Sequence, residues 1–398
     1  MSTNRFDFDA VVIGAGPAGA LAARGLGLRG RSVLLIDKQN FPRPKVCGCC
    51  LNRYALATLD AVGLPDLTRN LNARPLQKLN MIAAGRSAYV PLPRGVSLSR
   101  QALDVALIES AIDSGVEFLG GTSAKLRPFV GDADEGHTVL SGNGQQIRTR
   151  CVVMADGLGG SSLSEIEGFA VQTKPASRIG LGGVSIKPSS GRVPSGVIEM
   201  ACGDEGYLGV VELEDGRLDF AAAIDAAAVK SAGSLVAAAA RLAEQSGVSR
   251  DRWPLDRVER WRATPTLTRR RDRLAGPGLF VVGDAAGYVE PFTGEGMAWA
   301  IAGGAAVAEL ASSAVDGWDV KQETAWAEQY RRRVRKRQAG CRLVAATLRR
   351  PRLTRLVVRG LSTWPTLAAP LVRRITHPGD APTSYNSQHQ ATAERAYV

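Results

Sequence analysis

Histidine is nearly absent. The 398 residues contain three, His137, His377 and His389. The first falls in a Gly/Asp-rich loop and the other two in a polar tail. Neither a histidine general base nor a His-ligated metal is therefore expected. Long hydrophobic runs are missing too. The longest, Gly296 to Leu310, is interrupted by Gly303-Gly304 and Glu309. It stops short of the roughly 20 residues that cross a bilayer, so no transmembrane helix is expected. Cysteine occurs six times, three of them crowded into Cys47-Gly48-Cys49-Cys50. Such crowding makes no spaced disulfide framework, and adjacent thiols chelate poorly, so no metal site is expected. Residues 1–9 are partly acidic and lack an apolar core, unlike a secretory signal, which leaves a cytoplasmic location as the expectation.

Acidic residues vanish from one stretch. Between Arg331 and Arg374 there are fourteen Lys or Arg and no Asp or Glu, more positive charge than the net +12 of the whole chain. The basicity thus belongs to a C-terminal segment, and the remainder is slightly acidic. Such a segment attracts anionic membrane headgroups, nucleic acid or an anionic substrate. Leu353, Leu356, Val357 and Leu361 form an apolar stripe flanked by Arg352, Arg355 and Arg359. That is the pattern of a helix lying at a membrane interface, or of a cap packed on the body. Nucleic acid is not the expected partner.

What is present is an ordinary globular balance, 45% apolar and 22% charged. Asp9 to Ile13 reads as a buried strand. It leads into Gly14-Ala15-Gly16-Pro17-Ala18-Gly19, an Ala/Leu-rich helix to about Gly30, and a second strand, Ser32 to Ile36, ending at Asp37. Ser99 to Ser114 reads as a helix with Gly115 as its stop, followed by a strand at Val116 to Leu119. From Val171 to Arg262 short runs punctuated by Gly, Pro and Asp predict an inserted antiparallel sheet, with one helix at Leu235 to Gln245. The α/β pattern returns at Leu279 to Val282, before a long helix from about Gly296. The expected fold is α/β, with a Rossmann-type dinucleotide-binding domain, an inserted antiparallel-sheet substrate domain and a helical C-terminal cap. The expected segments are 1–75, 99–170 and 266–315 for the first, 76–98 and 171–265 for the second, 316–376 for the cap and 377–398 for a loose tail.

Gly14-x-Gly16-x-x-Gly19 follows a strand and opens a helix. Its first glycine permits the turn, the second lets backbone approach a pyrophosphate, and the third lets helix pack on strand. Asp37, eighteen residues after Gly19, is placed to accept from ribose hydroxyls. Asp156-Gly157 ends a buried strand at Met154. Gly283-Asp284 ends another and continues to Glu290-Pro291-Phe292-Thr293-Gly294-Glu295-Gly296-Met297. No second strand–GxGxxG–helix unit exists for another dinucleotide.

In this order and spacing the three motifs resemble the signatures of the FAD-dependent p-hydroxybenzoate hydroxylase superfamily. Phe41-Pro42-Arg43-Pro44-Lys45-Val46-Cys47-Gly48 and Glu290 to Gly296 are similar to its geranylgeranyl reductase-like branch, though many members carry Asp where this chain has Glu290. The resemblance implies FAD as cofactor. Gly14, Ala15, Gly16, Pro17, Ala18, Gly19, Asp37, Lys38 and Arg100 would hold its ADP half. Asp156, Gly157, Gly283 and Asp284 would serve the pyrophosphate and ribityl chain. Lys45, Val46, Cys47, Gly48, Pro291, Gly294, Glu295, Gly296 and Met297 would surround the flavin ring. Cys47 either acts beside the ring as proton donor or redox partner, with Lys45 lowering its pKa, or merely packs there. NAD(P)H is the expected electron donor, visiting a cleft without its own domain.

The resemblance implies an oxidoreductase acting on a hydrophobic isoprenoid, lipid or polyketide-type substrate, free or pyrophosphate- or carrier-bound, by reducing a C=C bond. The basic segment would hold the enzyme peripherally at an anionic membrane. The same fold also fits a monooxygenase of aromatic or polyketide substrates, or an FAD electron-transfer protein.

Overall fold

Phe8–Ile13 ends in four consecutive buried residues, as a strand covered on both faces must. It pairs in parallel with Val33–Ile36 on one side and Gln146–Met154 on the other. Glu117–Leu119 and Leu279–Val281 extend the sheet at either edge, again in parallel. The crossover between the first two strands turns at Gly14, where φ is +105°, into helix Pro17–Gly27. A side chain cannot be accommodated here: a Cβ on Gly19 would stand 1.8 Å from the Gly14 carbonyl oxygen. Proline opens the helix, where its missing N–H costs nothing. This helix packs between helices Arg100–Ile112 and Glu295–Asp316. The computed structural model describes residues 6–128, 136–188, 192–292 and 294–377. Thr293, the first five residues and residues 378–398 of the expected loose tail, with His389, lie outside them.

A second sheet of eight strands runs in the order Arg262–Thr266, Ile179–Val184, Leu218–Ile224, Gly206–Glu212, Val197–Cys202, Arg74–Ala83, Arg86–Ser97 and Cys50–Leu51. The sequence predicts it antiparallel, but Val197–Cys202 pairs with Arg74–Ala83 in parallel. The reason is connectivity. Arg74–Ser97 is a hairpin supplied by an earlier part of the chain and joins the later strands at an edge rather than through a turn. One face packs on helix Leu235–Ser246 and Trp253, while the other looks toward the parallel sheet.

Three further expectations need correction. His137 is not in a loop. It starts strand His137–Ser141, is buried, and its Nε2 bonds the Pro277 carbonyl at 2.8 Å. Helix Glu295–Asp316 is 22 residues long and apolar enough to cross a membrane by length and composition, despite the interruptions in its sequence. It is a core helix, with 78% of its most apolar window buried. The C-terminal stripe does not share one face either. In helix Pro351–Thr363, Val358 and Leu361 are buried and Val357 packs inward against the second sheet, while Leu353 and Leu356 point outward.

The C-terminal helices are fastened to the body through Glu290. Its buried carboxylate pairs with Arg178 Nη1 at 3.1 Å and Arg349 Nη2 at 3.2 Å. Arg178, 1% exposed, immediately precedes strand Ile179–Val184 of the second sheet; Arg349 caps the end of helix Lys336–Leu348. Arg178 also donates to the Leu348 carbonyl and faces Asp225 at 3.5 Å. Removing one partner of such a buried pair typically costs about 3–5 kcal/mol, because the other is left uncompensated. The longer Glu290 therefore joins the loop before the long helix to both the sheet and the cap.

Candidate functional site

Two connected hollows lie along the carboxyl ends of the parallel strands, where ligands of open α/β sheets bind. The first, about 160 Å³, lies between the glycine turn, the Lys45–Gly48 loop, the start of helix Glu295–Asp316 and the inner face of the second sheet. The second, about 760 Å³, runs past Gly14, Asp37, Lys38 and Asp156. Gly16 and Lys45 border both.

The helix start at Gly16 has no side-chain cap, so its first amides and the positive end of the helix dipole are available to an anion. A Cβ on Gly16 would meet only Arg100 Nη2 at 3.6 Å and Arg43 Nη2 at 3.8 Å. Arg100 is held in place by a bidentate pair with Asp104 at 2.8 and 2.7 Å, both residues being buried. Ser99 caps this helix by accepting from the Ala102 amide. Arg43 stacks over the Phe41 ring and reaches toward Asp37 and Asp104, at 3.7 and 3.8 Å. In the sequence, Arg43 stands out only as part of the Phe41 to Gly48 motif. Its two flanking prolines were the signal of a fixed loop.

Asp37 accepts from the amides of Ala15 and Gln39, at 2.8 and 2.9 Å, which sets its carboxylate at the strand end. Asp156 accepts from the Ser162 amide through Oδ2, while its buried Oδ1 has no hydrogen-bond partner, an acceptor free for a hydroxyl. Asp284 sits in the turn Gly283–Ala285. Burial pushes its carboxyl up, opposed by Lys45 and Arg100. An uncapped helix start, two guanidinium groups beside it and an unpaired Asp156 oxygen along one trough fit a flavin dinucleotide. FAD bound here would lay its pyrophosphate by Gly16, Arg43 and Arg100 and its ring toward the first hollow.

Around that hollow, Pro17, Ala18, Val46, Cys47, Gly48, Gly157, Pro291, Gly294, Gly296 and Met297 all contribute wall. Three expected residues stand back. Ala15 and Gly19 shape the turn, while Glu295 is buried and accepts from the Phe292 amide, bracing its own loop. Gly294 has φ +85°, and a Cβ there would lie 2.6 Å from the Cys50 carbonyl oxygen. The long helix thus begins pressed against the cysteine loop.

Cys47 is half-buried at the hollow. Hydrogen bonding from Cys49 stabilises its thiolate, burial opposes, and the Arg100 charge adds to the lowering, so its pKa falls well below that of an ordinary thiol. The same hydrogen bond, burial and Asp219 push Cys49 up, and burial and Asp219 push Cys50 up. Arg100, rather than Lys45, is the cation that acts on Cys47. The Lys45 ammonium lies instead beside Gly157 and the Asp284 charge. Across the hollow stand Tyr207, whose hydroxyl donates to the Pro291 carbonyl, and Asp219, buried on the interior strand Leu218–Ile224. Nothing in the sequence marks Asp219, because one acid in an alternating strand has the pattern of a solvent-facing position.

Alkylation should separate the thiols. Iodoacetamide is expected to react first at Cys47, with a pH–rate midpoint at least about one unit below the ordinary thiol value of about 8.5. An ordinary midpoint, measured by peptide mass mapping, would contradict this electrostatic description.

Comparison with known proteins agrees with the geometry. The model of the FAD binding domain family matches residues 7–339. Menaquinone reductase of Mycolicibacterium smegmatis is 26% identical over 325 residues, covering 77% of this chain and 76% of that protein. Digeranylgeranylglycerophospholipid reductase 1 of Methanothermobacter thermautotrophicus is 27% identical over 341 residues, 79% of each chain. The crystal structure of a geranylgeranyl bacteriochlorophyll reductase-like protein from Thermoplasma acidophilum superimposes with a TM-score of 0.75 at 19% identity, over 93% of this chain and 96% of that one. With the family model covering most of its length, the chain belongs to the FAD binding domain family and is an FAD-dependent oxidoreductase.

Proposed function

We propose that this enzyme reduces a carbon–carbon double bond in a hydrophobic, isoprenoid-type substrate. The observation that carries the reading is the wall of the first hollow opposite the glycine turn. Ile198, Met200, Val211, Leu267, Phe292 and Met297 make it apolar, and Gly209, Ala221 and Ala223 leave room above the strands. Such a surface offers a hydrocarbon chain burial at about 25 cal/mol per Å². Two reductases that act, by their names, on a quinone and on an isoprenoid lipid are among the relatives. Bound FAD, once reduced, supplies a hydride. The protein's part is to orient the double bond, exclude water and deliver a proton. Electrons come from NAD(P)H docking transiently at the cleft or from another reductant.

Dithionite-reduced protein mixed anaerobically with a menaquinone or a geranylgeranyl lipid should regain oxidised flavin while the lipid gains two hydrogens per double bond, read by mass spectrometry. Flavin that is reoxidised only by oxygen, with a hydroxylated product, would contradict the reading and identify a monooxygenase.

The reading extends to location, a cytoplasmic enzyme resting on an anionic membrane. Leu343, Leu356, Trp364 and Leu367 are all more than 60% exposed on the C-terminal helices, among Arg352, Arg355, Arg359, Arg373 and Arg374. Apolar tips within a basic field suit an interface. Sedimentation with anionic phospholipid vesicles is expected to carry the protein down, less so as salt rises. Trp364→Ser combined with Leu367→Ser should weaken it about tenfold or more. Equal binding to neutral vesicles, or none to either, would exclude the location.

A further inference from the structure

We propose that the Asp219 carboxyl is the proton donor for the double bond reduced in this cavity. The proposal rests on the reductase reading above. Asp219 lies on the interior strand Leu218–Ile224, opposite Val184 and Val211 on the neighbouring strands, with its side chain on the face that lines the hollow. It is 2% exposed, and its Oδ2 has no hydrogen-bond partner. A buried, unpaired carboxylate oxygen is costly, whereas a carboxylic acid facing an apolar cavity is not, and it has a proton to give.

The groups facing it act both ways: burial, the Cys47 charge and Glu214 favour the acid, while a Cys49 hydrogen bond and Arg217 oppose it, and the net direction is upward. Cys47 and Cys49 approach from the loop, with Cys50 behind them, and Glu214 and Arg217 bear on it from its own hairpin. Burial, then the Cys47 charge, drives the Asp219 carboxyl well above the usual carboxylate range. The Cys49 hydrogen bond biases Cys47 toward its thiolate, which makes Asp219 the better proton source of the two. Tyr207 has committed its hydroxyl to Pro291. Tyr288 keeps its phenol against Gly296 on the opposite wall and is a much weaker acid.

The chemistry balances with the reductant already named. The double bond takes a proton from Asp219 at one carbon and a hydride, with its electron pair, from reduced FAD at the other. The products are a saturated C–C bond, oxidised FAD and the Asp219 carboxylate. After product leaves, a solvent proton restores the acid, and NAD(P)H or dithionite restores reduced flavin.

The test compares the holoenzyme with Asp219→Asn and Tyr288→Phe. Asp219→Asn should keep FAD affinity and the thermal transition and lower single-turnover reduction by about 100-fold or more. Wild-type reduction should slow as pH rises through the titration of Asp219, and the variant should lack that limb. Independently of turnover, the infrared C=O stretch of a protonated carboxyl should be present in the wild type near neutral pH and missing from Asp219→Asn. Asp219→Asn reducing within about threefold of wild type, or no carboxyl band lost, overturns the donor. So does a comparable loss in Tyr288→Phe alone. A wild type that reduces no isoprenoid double bond overturns the function reading, and the donor with it. A wild type that reduces while Asp219→Asn keeps its rate overturns the donor alone.

Discussion

The rest of the molecule depends on how closely three backbone segments approach at the glycine turn. Helix Pro17–Gly27 sits directly on the Gly14 carbonyl through Gly19, and helix Glu295–Asp316 crosses it at Gly304, where a Cβ would stand 2.1 Å from the Ala18 carbonyl. This packing leaves the helix start uncapped at the end of the parallel sheet and fixes the long helix beside it. The long helix in turn begins against the cysteine loop, which lies over strand Leu218–Ile224; a Cβ on Gly48 would meet Ala221 at 3.9 Å. One steric constraint thereby sets the distance between the cofactor trough and the substrate sheet.

Charge is distributed along this framework in a consistent way. Arg43 and Arg100 converge on the backbone at Gly16, each steadied by an acid. Past them, the same Arg100 favours the Cys47 thiolate, and that thiolate favours a protonated Asp219. From trough to cavity the side chains thus pass from two guanidinium groups to a thiol biased toward its thiolate and a carboxyl biased toward its acid. Glu290 does a different task, compensating Arg178 under the C-terminal helices.

The parallel sheet, the glycine turn and the trough acids were legible in the sequence because each depends on local pattern: a buried run, a turn, a carboxylate at a strand end. Features that depend on distant partners were not. Glu290 reads as a one-methylene lengthening until Arg178, 112 residues away, is found against it. Leu353 and Leu361 look equivalent on a helical stripe until the second sheet claims one and not the other. The parallel pairing of Val197–Cys202 with Arg74–Ala83 joins strands more than a hundred residues apart, and no turn residue announces it.

Gly16 tests the central claim, that FAD lies across this turn, most directly. Its φ is −73°, and an added methyl would meet nothing nearer than 3.6 Å, so Gly16→Ala should fold and melt like the wild type. If the pyrophosphate rests on that backbone, the methyl intrudes on it. Titration of apoprotein with FAD, followed by flavin fluorescence, should then show binding weakened by about 100-fold or more. A folded Gly16→Ala protein that binds FAD with undiminished affinity would contradict the account.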